Sequence, residues 1–347
     1  MLQQAVEDAG LLLLYTLVIP VSVITGFLGS GKTTLISRLL QSPDLADTAV
    51  IINEFGETEL DHTLIAASSE NILKLMNGCI CCTIREDLAL ELRNLFHMRA
   101  VGDLPRFDRV LIETTGLADP VPIVHTLMAN TELRKAYRMQ SVVTLVDALA
   151  GERTVADQPV SRRQVAIADQ VLVTKTDLVE KEAAEPLLST LRELNPSANL
   201  IDTHGMSVPD LLPAIFSGNF YPGKGRADEI EKWLGAGHHR SDSPGHGTGI
   251  QTYCLQIDGP MSLAEVILFF QDLVNFQPDK LLRVKGLLSV EGKPGTPAVV
   301  HCIRDKVYPL LWLDHWPDKT VQTQLVFITD GLEKSAVEKI LRSVRSN

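Results

Sequence analysis

Cysteine is scarce in this chain, with five residues in 347, an odd number that does not frame a secreted disulfide scaffold. Three of the five, Cys79, Cys81 and Cys82, nevertheless fall within four positions, while Cys254 and Cys302 lie far away. Such a cluster in a thiol-poor chain points to metal or redox chemistry in the cytosol, and the chain is read as cytoplasmic. Positive charge is short as well. A net charge of -11 argues against nucleic acid or an anionic membrane surface as a partner, because following phosphates requires a basic patch. Long apolar runs are missing: "LLLLYTLVIPVSVI" (11–24) is too short to span a bilayer and contains Pro20. The "MLQQAVEDAG" before it holds Glu7 and Asp8 but no Lys or Arg, unlike the basic lead of a signal peptide.

What is present reads as globular, with 45% hydrophobic and 22% charged residues. The length suits roughly two domains at about 150 residues each. Residues 1–16 form an N-terminal extension. From 17 to 220, apolar strand-like runs at 21–25, 48–52, 109–113, 141–147, 170–174 and 198–202 alternate with helical patterns near 34–41, 84–97 and 181–194. Strands apolar throughout belong in a parallel sheet covered on both faces, so the expected fold class is α/β, a P-loop NTPase domain with a mostly parallel, doubly wound sheet. Residues 221–249, rich in Gly, His, Ser and Asp, read as a linker. Residues 250–347 give a smaller α+β pattern, with strands near 250–257, 280–290, 297–303 and 323–328 and helices near 262–274 and 332–344.

The strongest chemical signal is "GFLGSGKTT", Gly26 to Thr34, which fits G-x-x-x-x-G-K-[ST] between a strand and a helix. Gly26, Gly29, Ser30 and Gly31 let the backbone wrap round phosphate oxygens, with N–H groups of the loop and of Thr34 aimed at them. Lys32 would neutralise the β and γ phosphates and Thr33 would hold Mg²⁺ through its hydroxyl. "TKTD", Thr174 to Asp177, follows a later strand. There Asp177 can accept from the ring N–H and amino group of guanine, and Lys175 can lie along the purine face. Thr174 stands where many GTPases have Asn, so the affinity for GTP or GDP is expected to be altered while the choice of guanine is kept. "VLIETTGLADP" (110–120) supplies Glu113 to meet Mg²⁺, the alternative being a solvated acid at a strand end. It also supplies Gly116, whose N–H could sense the γ phosphate. The next residue is Leu117, which cannot orient a water, so intrinsic hydrolysis should be slow and no catalytic base is evident.

Cys79-x-Cys81-Cys82 precedes "TIRE", where Thr83 and Glu86 suit a capping box. Ile84, Leu88, Leu92, Leu95 and Phe96 then mark a core-facing helical stripe. Thiols at a helix N-terminus favour thiolate, the soft ligand of Zn²⁺ and Cu⁺. Plain burial and redox use are the alternatives, although the spacing is not the C-x-x-C of a thioredoxin-like motif.

Taken in order, "TGFLGSGKTTLI", "NEFGE", "NGCICC", "ETTGLADP" and "TKTD" resemble the CobW-like family of metal-handling P-loop GTPases, in its YjiA-type branch. "LLRVKGLLSV", with Arg283, Lys285 and Gly286, and "WLDHWP", with Trp312 and Trp316, resemble that family's C-terminal domain, which would occupy 250–347. The resemblance implies a GTPase whose nucleotide state governs binding of a transition metal and its delivery to a client metalloprotein. That metal is often Zn²⁺ and in some members Co²⁺ or Fe²⁺. It also implies that Cys79, Cys81 and Cys82 are the metal ligands, with Glu57 a further candidate and Asp61 a contact to Mg²⁺ or the thiolates. Ile52 stands where some members carry an acid, which weighs against a second, acid-rich metal site. The linker histidines His238, His239 and His246 suit solvated loop residues better than ligands, and His125 suits packing. The rival reading is a metal-binding regulator or store for which GTP is only a conformational ligand. A small-molecule kinase is disfavoured by "TKTD".

Overall fold

The computed structural model describes residues 18–52, 73–76, 84–216, 249–317 and 321–346, with 73–76 and 84–87 described by their backbone alone. Each strand expected before residue 220 is present: β1 (Ile19–Gly26), β2 (Thr48–Ile52), β4 (Arg109–Glu113), β5 (Tyr137–Asp147), β6 (Gln170–Thr174) and β7 (Asn199–Asp202). Sequence reading did not separate β3 (Leu73–Met76), a run too short to show a period. The sheet order is β3-β2-β4-β1-β5-β6-β7, and every pairing is parallel. The order runs both ways from β1. That makes the carboxyl end of β1 the switch point, where an open α/β sheet leaves a crevice for ligand.

Period two along the strands sends alternate side chains to two cores. Val21 and Val23 of β1 belong to one core and Ile24 to the other. The second core is closed by α1 (Lys32–Leu40) and α8 (Val208–Phe216), through Leu35, Ile36, Leu211 and Ile215. The first is closed by α2 (Ile84–Val101), α3 (Val121–Ala129), α6 (Pro159–Ala166) and α7 (Lys181–Leu194). The short helices α4 (Leu133–Ala136) and α5 (Gly151–Asp157) lie among them in the chain. Among the described side chains of the expected α2 stripe, one departs from it. Leu88, Leu92 and Leu95 are buried, but Phe96 is 36% exposed and meets the Tyr137 ring edge-on at 6.1 Å. It sits at the rim of the stripe, because a 3.6-residue period carries that position out of the face.

The second sheet is antiparallel, in the order β11-β10-β9-β13-β8, with β12 paired to β10. Its strands are β8 (Ile250–Ile257), β9 (Leu281–Leu288), β10 (Ala298–Ile303), β11 (Lys306–Val307), β12 (Leu311–Trp312) and β13 (Thr323–Asp330). One face packs on α9 (Leu263–Phe276) and α10 (Lys334–Arg345), with Phe269, Leu273 and Val337 fully covered. Ser262 opens α9 with a complete capping box to Glu265.

The other face meets the first unit. Ile250, Leu282, Ile303, Tyr308 and Ile328 belong to the same core as Val155, Ile167 and Leu194, so one hydrophobic core runs through both sheets. At this seam Asp169 accepts from the Arg283 guanidinium, from Lys285 Nζ at 2.9 Å and from the Val142 N–H at 2.9 Å. All three side chains are about 1% exposed or less. The Arg283 guanidinium also donates to Ile167 O. Thr252 Oγ1 donates to Leu194 O at 3.1 Å, and Arg163 pairs with Asp330 at 3.2 Å. His125 is half-buried and faces Asp305 at 3.6 Å. No helix among the described residues is long and apolar enough to cross a membrane.

Candidate nucleotide-binding site

The loop after β1 is built for close backbone approach. Gly26 has φ 142, and a side chain there would collide with Leu145 O and lie 2.8 Å from Ser30 Oγ. Gly31, at φ 94, is the N-cap of α1 and offers no side-chain cap. The first-turn N–H groups therefore have no side-chain acceptor, the arrangement that suits an anion. Lys32 is 8% exposed and its ammonium donates back to Gly26 O at 2.8 Å and Phe27 O at 3.2 Å. Ser30 Oγ is buried with no hydrogen-bond partner among the described residues, while Thr33 and Thr34 are exposed in the first turn. A ring of donors round a glycine-lined hollow is what phosphate oxygens require.

Glu113 ends β4, in register with Ile24 of β1 and Ile52 of β2. It is 2% exposed, which rules out the solvated strand-end acid. Thr114 bonds back to β1 twice, its N–H to Ile24 O at 2.9 Å and its hydroxyl to Thr25 Oγ1 at 2.8 Å. Gly116 then lies against the phosphate loop: a Cβ there would be 2.7 Å from the Leu28 backbone nitrogen. Leu117 is 60% exposed. The Thr33 hydroxyl and the Glu113 carboxylate are hard oxygen donors of the kind Mg²⁺ selects, so the residues present fit that ion.

The turn after β6 is tied to the same loop. Thr174 Oγ1 donates to Ser30 O at 2.8 Å, so the hydroxyl in the usual Asn position holds the phosphate loop in place. Lys175 adopts a left-handed backbone, φ 58. Its ammonium donates to Gly29 O at 2.8 Å and pairs with Asp147. Asp177 follows, exposed, in the single turn Thr176–Leu178. That turn is fixed by Thr176 Oγ1 on Asp202 Oδ1 at 2.6 Å, and the His204 N–H bonds the same oxygen at 2.9 Å.

Three residues that shape this edge escaped sequence reading. Asp147 and Asp202 end β5 and β7, so each is a strand-terminal acid, the signal that did mark Glu113. Gln164 lies inside α6, 0% exposed, and its Nε2 donates to Gly116 O at 3.3 Å and Ala118 O at 3.0 Å. No local pattern distinguishes it.

The other predicted ligands, Cys79, Cys81, Cys82 and Glu57, lie outside the described residues, as do Asp61, His238, His239 and His246. Among the described residues no group of three or more His, Cys, Asp and Glu could hold a metal ion. β2 and β3 nonetheless end at Ile52 and Met76 in register with one another. Both strands therefore end at the carboxyl edge that carries the phosphate loop.

Comparison with known proteins places this geometry. Residues 20–202 match the CobW/HypB/UreG nucleotide-binding domain, and residues 250–345 match the cobalamin synthesis protein CobW C-terminal domain. The zinc chaperone YjiA of Escherichia coli K12 is 32% identical over 329 residues, covering 94% of this chain and 99% of that protein. The zinc chaperone CobW of Pseudomonas aeruginosa PAO1 is 29% identical over 360 residues, covering 94% and 91%. The crystal structure of the Zn(II)-bound YjiA GTPase from E. coli superposes with a TM-score of 0.70 at 26% identity, covering 94% of this chain and 99% of that one.

Proposed function

Because the chain belongs to the CobW/HypB/UreG family of nucleotide-binding proteins, we propose that it is a GTP-hydrolysing zinc metallochaperone. In this reading nucleotide state sets the affinity of the Cys79-x-Cys81-Cys82 site for its cargo, Zn²⁺, which passes to a client metalloprotein. The observation that carries it is the tether between the two halves of the nucleotide site. Thr174 and Lys175 grip the phosphate loop at Ser30 and Gly29 and set exposed Asp177 beside it, a geometry suited to reading guanine. Two relatives named as zinc chaperones and a zinc-bound GTPase structure support the metal.

Each residue has a task. Backbone N–H groups from Gly29 to Thr34 hold the phosphates and Lys32 balances their charge. Thr33 and Glu113 would hold Mg²⁺, which when bound would supply charge stabilisation to the phosphoryl group. The Gly116 N–H meets the γ phosphate, so its loss on hydrolysis releases the turn. Leu117 gives no water-orienting group, and turnover is therefore slow without a partner. β3, the strand before residues 77–83, ends at the sheet edge that carries the phosphate loop, and linkage makes metal and GTP affinities shift by one common factor.

The test is calorimetric titration of the metal-free full chain with Zn²⁺, once with GDP and once with a non-hydrolysable GTP analogue and Mg²⁺. The expected result is a different zinc affinity in the two states, abolished by replacing Cys79, Cys81 and Cys82 with Ser. Equal affinity in both states would reject the coupling and favour a metal store.

A further inference from the structure

We infer that Gln164 is a positioning residue of the GTPase reaction: from the last turn of α6 it holds the backbone of the Gly116 turn, and the residues directly after it, 165–169, are anchored to the buried charge cluster that seats the second sheet. The inference rests on the reading of the Gly116 N–H as the γ-phosphate contact.

The contacts of Gln164 are buried. Gln164 is 0% exposed, its Nε2 donates to Gly116 O and Ala118 O, and its own carbonyl accepts from Thr144 Oγ1 at 2.7 Å. Its Oε1 is buried and has no partner among the described residues. An amide that uses both donors and leaves its acceptor open can accept an N–H of the turn when that turn reorients, so it suits a segment with two states. Directly after Gln164 the backbone is pinned. Asn195 Nδ2 donates to Val165 O at 2.8 Å, Ala166 O at 3.1 Å and Ala168 O at 2.9 Å. Ile167 O takes the Arg283 guanidinium, and Asp169, two residues on, takes both Arg283 and Lys285. Gln164 lies two residues before the end of α6 and five before Asp169. With the backbone of Val165, Ala166, Ile167 and Ala168 held so close to Gln164, there is little slack between the two sets of contacts, so displacing the Gly116 turn either breaks two buried hydrogen bonds or shifts the seat of β9.

The experiment uses the full chain and Gln164→Met, which conserves volume and removes only the polar contacts. It measures GTP turnover, GDP affinity, and amide hydrogen exchange over 114–119 and 281–288 with GDP or with a non-hydrolysable GTP analogue and Mg²⁺. In the wild type the analogue should slow exchange in both segments. In the variant kcat should fall roughly five- to tenfold, as expected for two lost hydrogen bonds, while KM for GTP and the affinity for GDP stay within about twofold. The response of 281–288 should disappear. Gln164→Glu adds a pH profile. The introduced carboxyl can donate when neutral but faces two carbonyl oxygens when ionised, so turnover should fall relative to wild type as pH rises. An unchanged kcat, or a loss matched in GDP affinity, overturns the assignment. If 114–119 does not respond in the wild type, the reading of Gly116 fails with it. If that segment responds alike in wild type and Gln164→Met, only Gln164 is excluded.

Discussion

Guanine offers a carboxylate two donors, its ring N–H and its amino group, and Asp177 stands exposed on a turn braced by Asp202 and by the phosphate loop. Asp177→Asn should weaken GTP binding by about ten- to hundredfold, the scale of one charge-assisted pair. It should also create binding of xanthosine triphosphate, whose carbonyl can accept from the new amide. Competition between the two nucleotides measures this directly, and unchanged GTP preference would remove Asp177 from the site. Gly116→Ala should cut phosphate release by about 100-fold, because the added carbon meets the Leu28 nitrogen at 2.7 Å and displaces the turn. Legibility at this scale followed locality. Gly26 to Thr34 is one continuous motif, and Glu113 and Gly116 sit in another, so both could be read from neighbours. Asp147 and Asp202 end strands as Glu113 does but lie in no motif, and Gln164, acting on a turn distant in sequence, announces nothing by its identity.

Among the elements, β9 shows how period two can be spent on charge. Val284 and Leu288 face α9 and α10, while Arg283 and Lys285 face the first sheet and meet Asp169. Burial first, then the Arg283 guanidinium, pushes the Lys285 ammonium down to about 7 against the pull of Asp169. The unfolded chain holds that proton up to about pH 10, so above pH 7 it binds more protons than the fold and stability rises with pH. His301, stacked on Tyr308 at 4.6 Å, is likewise driven well below its ordinary value by burial and these cations. It stays neutral in the fold and costs stability as pH falls below 6.5. Lys285→Met should flatten the rise of the unfolding midpoint between pH 7 and 9, a slope that thermal melts can follow. Asp169→Asn removes the carboxylate that balances the buried Arg283 guanidinium and should lose about 3–5 kcal/mol, read from urea unfolding. Sequence reading found β9 and its Arg283-x-Lys285-Gly286 signature, yet not its partner, because that acid lies 114 positions away at the mouth of β6.

For the whole molecule, the parallel α/β unit and the smaller α+β unit after it were legible, β3 and the short β11 and β12 aside, because apolar runs and turn signals are local. What joined them was not. The seam is written in single residues, Ile250, Leu282, Ile303 and Ile328 on one side and Ile167 and Leu194 on the other, and these fall into one continuous core. Heating should therefore give one calorimetric transition rather than two. The same feature has a biochemical corollary. A protease that severs the chain between residues 217 and 248 should leave the fragments travelling together through a sizing column, parting only in denaturant, so an intact native mass would conceal a broken backbone.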